Sequence, residues 1–321
     1  MSASVKGGEL HENQRLVDEV TALGHEAEII NYRQTAVAIT EEGRVLYGYG
    51  PGDKLAQIQV DAVIPRIGKF VESGSMVLRM LVANGVYSTA TPEAVEIAKN
   101  KMNSLTLLDA SGIPVPFSIA PAGTRPENPT ETLKLIQPDS SGPVILKTLR
   151  GSHGNGVVLA ESRRSAKSSA QTFRAIPTSY LIQEFAEAPE EENLASDVRL
   201  IVINGRVVAA MKRRARDEGE FRSNLSQGGT GEPYEATPRV TELAVKACEV
   251  LGVRVGGVDI IPSRRGPLVN EVDVTPDFGV EQVTGVNVAR LIAEFSVRRD
   301  RPQSADPAPR DAGFRQSCSK R

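Results

Sequence analysis

Pro143-Val144-Ile145-Leu146-Lys147-Thr148-Leu149-Arg150-Gly151-Ser152-His153-Gly154-Asn155-Gly156-Val157-Val158-Leu159-Ala160 is the stretch from which the rest of the chain is read. The apolar run Pro143–Leu146 has the character of a strand and ends in Lys147. Val157–Ala160 returns as a second strand. Between them, Gly151, Gly154 and Gly156 free the backbone to offer several N–H groups to anionic oxygens. Strand, glycine-rich turn and strand together predict a flap over a triphosphate. The glycines by themselves fit equally a mobile hairpin without a ligand; Lys147 at the strand's end favours phosphate. The Gly-Lys-Ser or Gly-Lys-Thr of a P-loop is absent. His153 reads as a polar loop residue.

A second acidic stretch lies downstream. Val255–Ile261 is a strand with Asp259 at its middle, Pro262–Gly266 a turn, and Pro267–Val274 the return strand carrying Glu271 and Asp273. Side chains alternate along a strand, so 271 and 273 share a face. Folding about the turn sets Asp259 opposite residue 270 or 271, so the three carboxylates are expected to converge. Acids within apolar strands are costly unless a positive group compensates them, and Mg²⁺ is commonly shared between carboxylates and nucleotide phosphates. The plainer alternative is an edge hairpin with solvated acids.

Between these stretches, Leu200–Val202 and Val207–Met211 predict a hairpin about Asn204-Gly205. Arg213, Arg214 and Arg216 read as a solvated basic face. Arg222, Ser223 and Asn224 lie in a loop, where an arginine suits bidentate capture of a carboxylate or phosphoryl group. Leu181–Phe185 is a short strand whose end can present backbone to an adenine edge, and the acidic run Glu187–Glu192 beyond it can reach a ribose.

Upstream, the pattern is α/β. Glu12–Leu23 is an amphipathic helix stopped by Gly24. Strands are expected at Ala27–Asn31, Ala36–Thr40, Arg44–Tyr47, Val60–Ile64 and Val86–Thr89, with a helix over Ser75–Asn84. Such a domain normally opens on a strand; the polar Met1–Glu9 supplies none, which points to a truncated start. Thr91-Pro92-Glu93 is a helix-opening signal for Ala94–Asn103, and a further helix covers Leu105–Ala110. Pro121–Pro129 is a surface loop. Beyond Arg298 no periodic apolar residues remain, and a disordered tail is expected.

Composition narrows the function. At 321 residues and 40% hydrophobic, the chain has room for two or three units of roughly 100–200 residues. Its 38 Lys plus Arg against 40 Asp plus Glu leave a net charge of −2, which argues against a nucleic-acid binder. No apolar run approaches the roughly 18 residues of a membrane span. Cys248 and Cys318 are too few for a disulfide framework or a zinc cluster and fit a reducing cytosol. With no Trp and 4% aromatics, base-stacking platforms are not expected. A cytoplasmic enzyme is the class that remains.

The order of features is distinctive: Lys101 on a helix, Lys147 before the flap, Gln183-Glu184-Phe185, Asp197-Val198-Arg199, Phe221-Arg222-Ser223-Asn224-Leu225, Val258-Asp259-Ile260, then Gly266-Pro267-Leu268-Val269 and Glu271-Val272-Asp273. With Asp61-Ala62-Val63-Ile64-Pro65-Arg66-Ile67-Gly68 it resembles the ATP-grasp superfamily, and within it the RimK-type α-L-glutamate ligases, from about residue 10 to 297.

The resemblance implies an α/β (α+β ATP-grasp) fold: a pre-ATP-grasp domain over 1–90, a lid subdomain over 91–180, a core with the metal site over 181–297 and a tail over 298–321. It implies amide formation through an acyl phosphate. Lys101 and Lys147, with flap residues Gly151, Ser152, Gly154 and Gly156, would hold ATP phosphates. Gln183, Glu184 and Phe185 would meet the adenine, and Asp197, Arg199 and Ser223 would complete the nucleotide site. Asp259, Glu271 and Asp273 would carry two Mg²⁺ or Mn²⁺ ions. Arg222 and Asn224 would act on the acyl phosphate. The implied partners are L-glutamate and an acceptor carboxylate, in the family's best-known role the C-terminus of a small-subunit ribosomal protein, within a homo-oligomer such as a tetramer. A ligase for a small metabolite or carrier protein and a non-catalytic nucleotide-binding regulator are the alternatives. The chain departs from the family in having Asp273 where Asn is usual and Pro276-Asp277 where Pro-Gly is usual.

Overall fold

The computed structural model of the chain describes residues 8–41, 43–121, 129–138, 142–151, 156–175, 178–186, 196–216, 223, 225 and 228–297. The expected tail and most of the Pro121–Pro129 loop lie outside these residues. Helix α1 (Gly8–Ala22) is followed by Gly24 at φ +82, a left-handed geometry that glycine adopts without steric cost. Strands β1 (Thr35–Thr40), β2 (Gly43–Tyr49) and β3 (Leu55–Ile58) form an antiparallel sheet in that order. The first two are the expected hairpin. The third, four residues long and mostly exposed, is too short to show a period.

The expected strand Ala27–Asn31 does not form. Asn31 instead accepts a hydrogen bond from the Arg33 N–H and opens a tight turn, Tyr32–Gln34, so this side-chain cap takes the place of a strand ladder. β4 (Ala62–Val63) and β5 (Tyr87–Ser88) pair in parallel around the connecting helix α2 (Val71–Ala83).

Helix α3 (Pro92–Ala98) opens where Thr91 accepts from the Ala94 N–H, a cap worth about 1 kcal/mol. The single helix expected over Ala94–Asn103 is broken in two. Asn100, extended at φ −122 and ψ 105, accepts from the Asn103 N–H and starts a new helix, α4 (Lys101–Ala110). An asparagine side chain satisfies an orphan N–H at a helix start but gains nothing in a helix interior, and the chain kinks there.

A four-stranded sheet has the order β6 (Ser118–Ile119), β9 (Tyr180–Glu184), β7 (Val144–Thr148), β8 (Val157–Ala160). Val144, Leu146 and Ile182 on one face pack with Leu133 of helix α5 (Thr130–Ile136) and Phe173 of helix α6 (Arg163–Ala175). Alternation therefore turns Lys147 and Gln183 to the other face.

The largest sheet has the order β12 (Thr230–Pro233), β11 (Arg206–Arg214), β10 (Ser196–Ile203), β13 (Val255–Ser263), β14 (Gly266–Asp273), antiparallel throughout. Asn204 and Gly205, both at positive φ, turn the β10–β11 hairpin, as its two-residue loop requires. Leu200, Val258 and Ile260 on one face share a core with helix α7 (Pro238–Val250), α2 and α3; each such burial contributes about 2 kcal/mol. On the other face, Ile201, Ile203 and Val255 are covered from α1, α8 (Gly279–Thr284) and α9 (Val288–Val297). The remainder of that face carries charges. Among the described residues, no helix is long and apolar enough to cross a membrane.

Candidate active site

The two sheets meet along a polar cleft, and the kink at Asn100 sets its geometry. In one continuous helix, residues two apart point about 200° away from each other. The break lets Lys99 and Lys101 reach the same strand: Lys99 Nζ lies 3.1 Å from Asp273 Oδ1, and Lys101 Nζ lies 3.3 Å from Glu271 Oε1. Lysines two apart thus meet acids two apart, in opposite order. Lys101 also holds the base of the flap, its N–H donating to the Leu149 carbonyl at 3.0 Å and its ammonium to the Gly151 carbonyl at 3.1 Å.

Lys147 forms the next crossing. Its ammonium donates to Gln183 Oε1 at 2.6 Å on its own sheet and to Asn270 Oδ1 at 3.0 Å on β14. Asn270 is present because the ladder slips: Asp259 pairs with Glu271, but Ile260 pairs with Val269. The extra residue of such a bulge is re-aimed, and Asn270 joins Glu271 in the cleft. Of the two partners expected for Asp259, residue 270 or 271, the ladder gives Glu271; the role of Asn270 is a tertiary detail that strand alternation does not give. Burial pushes the Lys147 ammonium down to about 8; Glu271 and the more distant acids oppose this, and Lys101 adds to it.

Gly156 closes the flap at φ +73, and a Cβ there would stand 2.8 Å from the Thr148 methyl carbon. Glycine is therefore required both for its backbone and for space. Ser152, His153 and Gly154 lie outside the described residues.

Beneath the lysines is an ion-pair network. Arg199 grips both oxygens of Asp259 at 2.7 and 2.8 Å and also pairs with Asp277. Arg213 pairs with Asp197 and reaches Asp259 at 3.1 Å. The expected solvated face is thus corrected at Arg213, which is 2% exposed. It shares a strand face with Met211, and the acids that compensate its burial, Asp197 and Asp259, come from β10 and β13. Burial works against the charge on Asp259, but Arg199 and Arg213 outweigh it and hold the carboxyl below the ordinary range. Burial raises the Asp197 carboxyl, with Arg213 and Arg199 opposing.

The three expected metal ligands are not gathered: among the described residues, no three His, Cys, Asp or Glu side chains are placed to hold one ion. Both oxygens of Asp259, a side chain only 6% exposed, are committed to guanidinium groups. Glu271 and Asp273 remain 31% and 23% exposed. Each has one oxygen that no described residue engages. Hard carboxylate oxygens of this kind suit Mg²⁺, while the guanidinium groups leave Asp259 little acceptor capacity for an ion.

The strand expected to meet the adenine uses its side chains elsewhere. Gln183 is buried, and its amide donates to Ser118 Oγ at 3.0 Å while its oxygen receives Lys147; it is a strut for the lysine. Glu184 accepts from the Phe117 N–H at 2.8 Å and from Arg265. Phe185 is half-buried at the strand's end, and the acidic run after it lies outside the described residues. Arg222 and Asn224 also fall outside. Their neighbour Ser223 is buried against a close approach, since a Cβ on Gly229 would sit 2.5 Å from the Ser223 carbonyl.

Two sheets closing on one cleft, one supplying a glycine flap and lysine, the other paired acids, define an ATP-grasp fold, and the comparisons agree. Residues 98–295 match the RimK-like ATP-grasp domain and residues 5–95 the RimK PreATP-grasp domain. Proteins named probable alpha-L-glutamate ligase are 36% identical over 299 residues in Legionella pneumophila (strain Corby) and 37% over 306 in Thioalkalivibrio sulfidiphilus. Both alignments cover 92% of this chain and 95% of the relative. The RimK domain protein ATP-grasp of Sphaerobacter thermophilus superposes with a TM-score of 0.66 at 21% identity, covering 93% of this chain and 98% of that one. The macrocyclase MdnC of Microcystis aeruginosa, solved with its precursor peptide MdnA, gives 0.66 at 14% identity, covering 92% and 98%. The chain belongs to the RimK-like ATP-grasp family. It is an ATP-dependent ligase that forms carbon–nitrogen bonds.

Proposed function

We propose that the protein is an α-L-glutamate ligase joining the amine of L-glutamate to an acceptor carboxylate. The acceptor carboxylate takes the γ-phosphoryl group of ATP, releasing ADP. The glutamate amine then attacks the acyl carbon, phosphate leaves, and the amine proton passes to solvent. The relatives' names supply the amino acid.

The observation that carries the chemistry is the double crossing of the cleft, Lys101 to Glu271 and Lys147 to Asn270. It sets two ammonium groups between flap and sheet, where a triphosphate would meet them in this reading. Phosphoryl transfer needs such positioning and charge neutralisation and no protein nucleophile.

Lys101, Lys147 and the flap from Gly151 to Gly156, with Ser152 and Gly154, hold the phosphates in this reading. Backbone at Phe185 receives the adenine edge, and Arg222 and Asn224 steady the acyl phosphate. Glu271 and Asp273 would hold Mg²⁺ or Mn²⁺, which when bound neutralises phosphate charge. Among the described residues of the cleft, Lys99, Lys101, Lys147, Arg199 and Arg213 balance Asp197, Asp259, Glu271, Asp273 and Asp277. A triphosphate's roughly four negative charges therefore call for two divalent ions.

A peptide or protein C-terminus is the acceptor we favour, the C-terminus of a ribosomal protein among the candidates, because the structural neighbours PsnB and MdnC were solved with precursor peptides. Intact-mass analysis of lysate proteins after incubation with enzyme, ATP, Mg²⁺ and glutamate tests this. Successive single-glutamate additions to one protein are expected, and Lys147→Ala should abolish them. Phosphate release with a small acceptor and no labelled protein would refute the protein acceptor.

A further inference from the structure

Asp273 is surrounded by donors on one side only. Its Oδ1 receives the Lys99 ammonium at 3.1 Å, the Thr275 N–H at 3.0 Å and the Thr275 hydroxyl at 3.0 Å. Lys99 also donates to the Thr275 hydroxyl at 2.8 Å, which closes the set on itself. Asp273 Oδ2 has no partner among the described residues. The Lys99 side chain is 15% exposed and lies in the segment between α3 and α4, so backbone as well as side chain fixes its position.

We propose that Lys99 is a positioning residue for the metal site: it pins Oδ1, leaves Oδ2 as the single oxygen offered to a divalent ion, and cancels the extra charge of the aspartate so that the anionic nucleotide is not repelled. This rests on the reading of Asp273 as a metal ligand. Two consequences follow from placing one positive charge beside a carboxylate. Removing it strengthens the hold of the carboxylate on a cation, because the competing ammonium is gone while Thr275 alone still donates to Oδ1. The same removal leaves the cleft with one uncompensated negative charge, which weakens binding of a polyphosphate. A residue that only supports the fold moves both affinities in the same direction.

Mn²⁺ binding in the presence of ADP, followed by electron paramagnetic resonance, and ADP binding at fixed Mn²⁺, followed by calorimetry, separate these cases without reference to turnover. Lys99→Met is expected to tighten Mn²⁺ and weaken ADP, each by about tenfold. Asp273→Asn is expected to weaken Mn²⁺, and the double variant to return the ADP affinity to within about threefold of wild type. Lys99→Arg keeps the charge and should match wild type in both. If Lys99→Met weakens both ligands, or the double variant binds ADP no better than Lys99→Met, the inference is wrong. Should Lys99→Met not fold, Asp273→Asn alone decides: unchanged Mn²⁺ affinity overturns it. A wild-type protein that binds ADP but no Mn²⁺ would remove the metal reading itself, and this inference with it.

Discussion

Replacing Lys147 with methionine changes how stability depends on pH, and the size of the change follows from the cleft. The Lys147 ammonium is drawn down from 10.5 to about 8, first by burial. Each unit of such a shift is about 1.4 kcal/mol, so keeping the group charged in the nucleotide-free protein costs up to roughly 3.4 kcal/mol at neutral pH. The side chain keeps some contact with water, which trims this to roughly 2–3 kcal/mol. The folded pKa is the lower one, so between pH 8 and 10.5 the unfolded chain holds a proton that the folded chain has released. Stability from this group therefore rises with pH through that window, and the cost is present in full below it.

Lys147→Met removes this dependence. It also leaves Gln183 Oε1 and Asn270 Oδ1 without their donor, a loss of about 1–3 kcal/mol each that does not vary with pH. The pH dependence of the difference between the two proteins is thus the informative quantity. The chain has no tryptophan, so urea unfolding is followed by far-ultraviolet circular dichroism at several values from pH 7.5 to 10.5. Wild type is expected to gain roughly 2–3 kcal/mol on the variant across that range. Parallel curves would refute the account of Lys147 as a desolvated cation. Nucleotide phosphates should restore its proton, so ADP binding at pH 8.5 takes up protons, read from calorimetry in buffers of different ionisation enthalpy.

Arg213→Leu strips the shared guanidinium from Asp197 and Asp259 and leaves buried carboxylates close together; a loss of about 3–5 kcal/mol in urea unfolding is expected, and one below about 1 kcal/mol would contradict the network. Gly156→Ala sets a Cβ against Thr148 at positive φ and should raise KM for ATP severalfold while costing about 1–2 kcal/mol of stability in urea unfolding. Glu271→Gln leaves Lys101 without its acid, and turnover should fall by about 100-fold or more with the Mg²⁺ dependence shifted to higher concentration. EDTA should abolish turnover without unfolding the protein, because the apolar cores carry the fold.

The network around Asp259 explains how acids survive inside a sheet. Asp259 would be costly in the interior without compensation, and two guanidinium groups provide it. The arrangement couples three strands, since Arg199 is on β10, Arg213 on β11 and Asp259 on β13. Asp277 connects the network to the loop after β14, and Arg66 of the N-terminal unit holds that loop through the Pro276 carbonyl at 2.8 Å. The loop is therefore held by both the N-terminal unit and the large sheet.

Local chemistry was legible in the sequence. The Thr91 cap, the stop at Gly24, the Asn204-Gly205 hairpin and the shared face of Glu271 and Asp273 depend on neighbouring residues, whose spacing is printed in the chain. Lys147 beside a glycine-rich turn was legible for the same reason. The kink at Asn100, the bulge that brings Asn270 into the cleft and the burial of Arg213 were decided by tertiary structure. Each depends on what a distant strand offers: acids on β14 for Lys99 and Lys101, a slipped ladder partner on β13 for Asn270, and Asp259 for Arg213. Ionic and hydrogen-bonding groups take their positions from partners brought near by folding, and a single chain's periodicity carries no record of them.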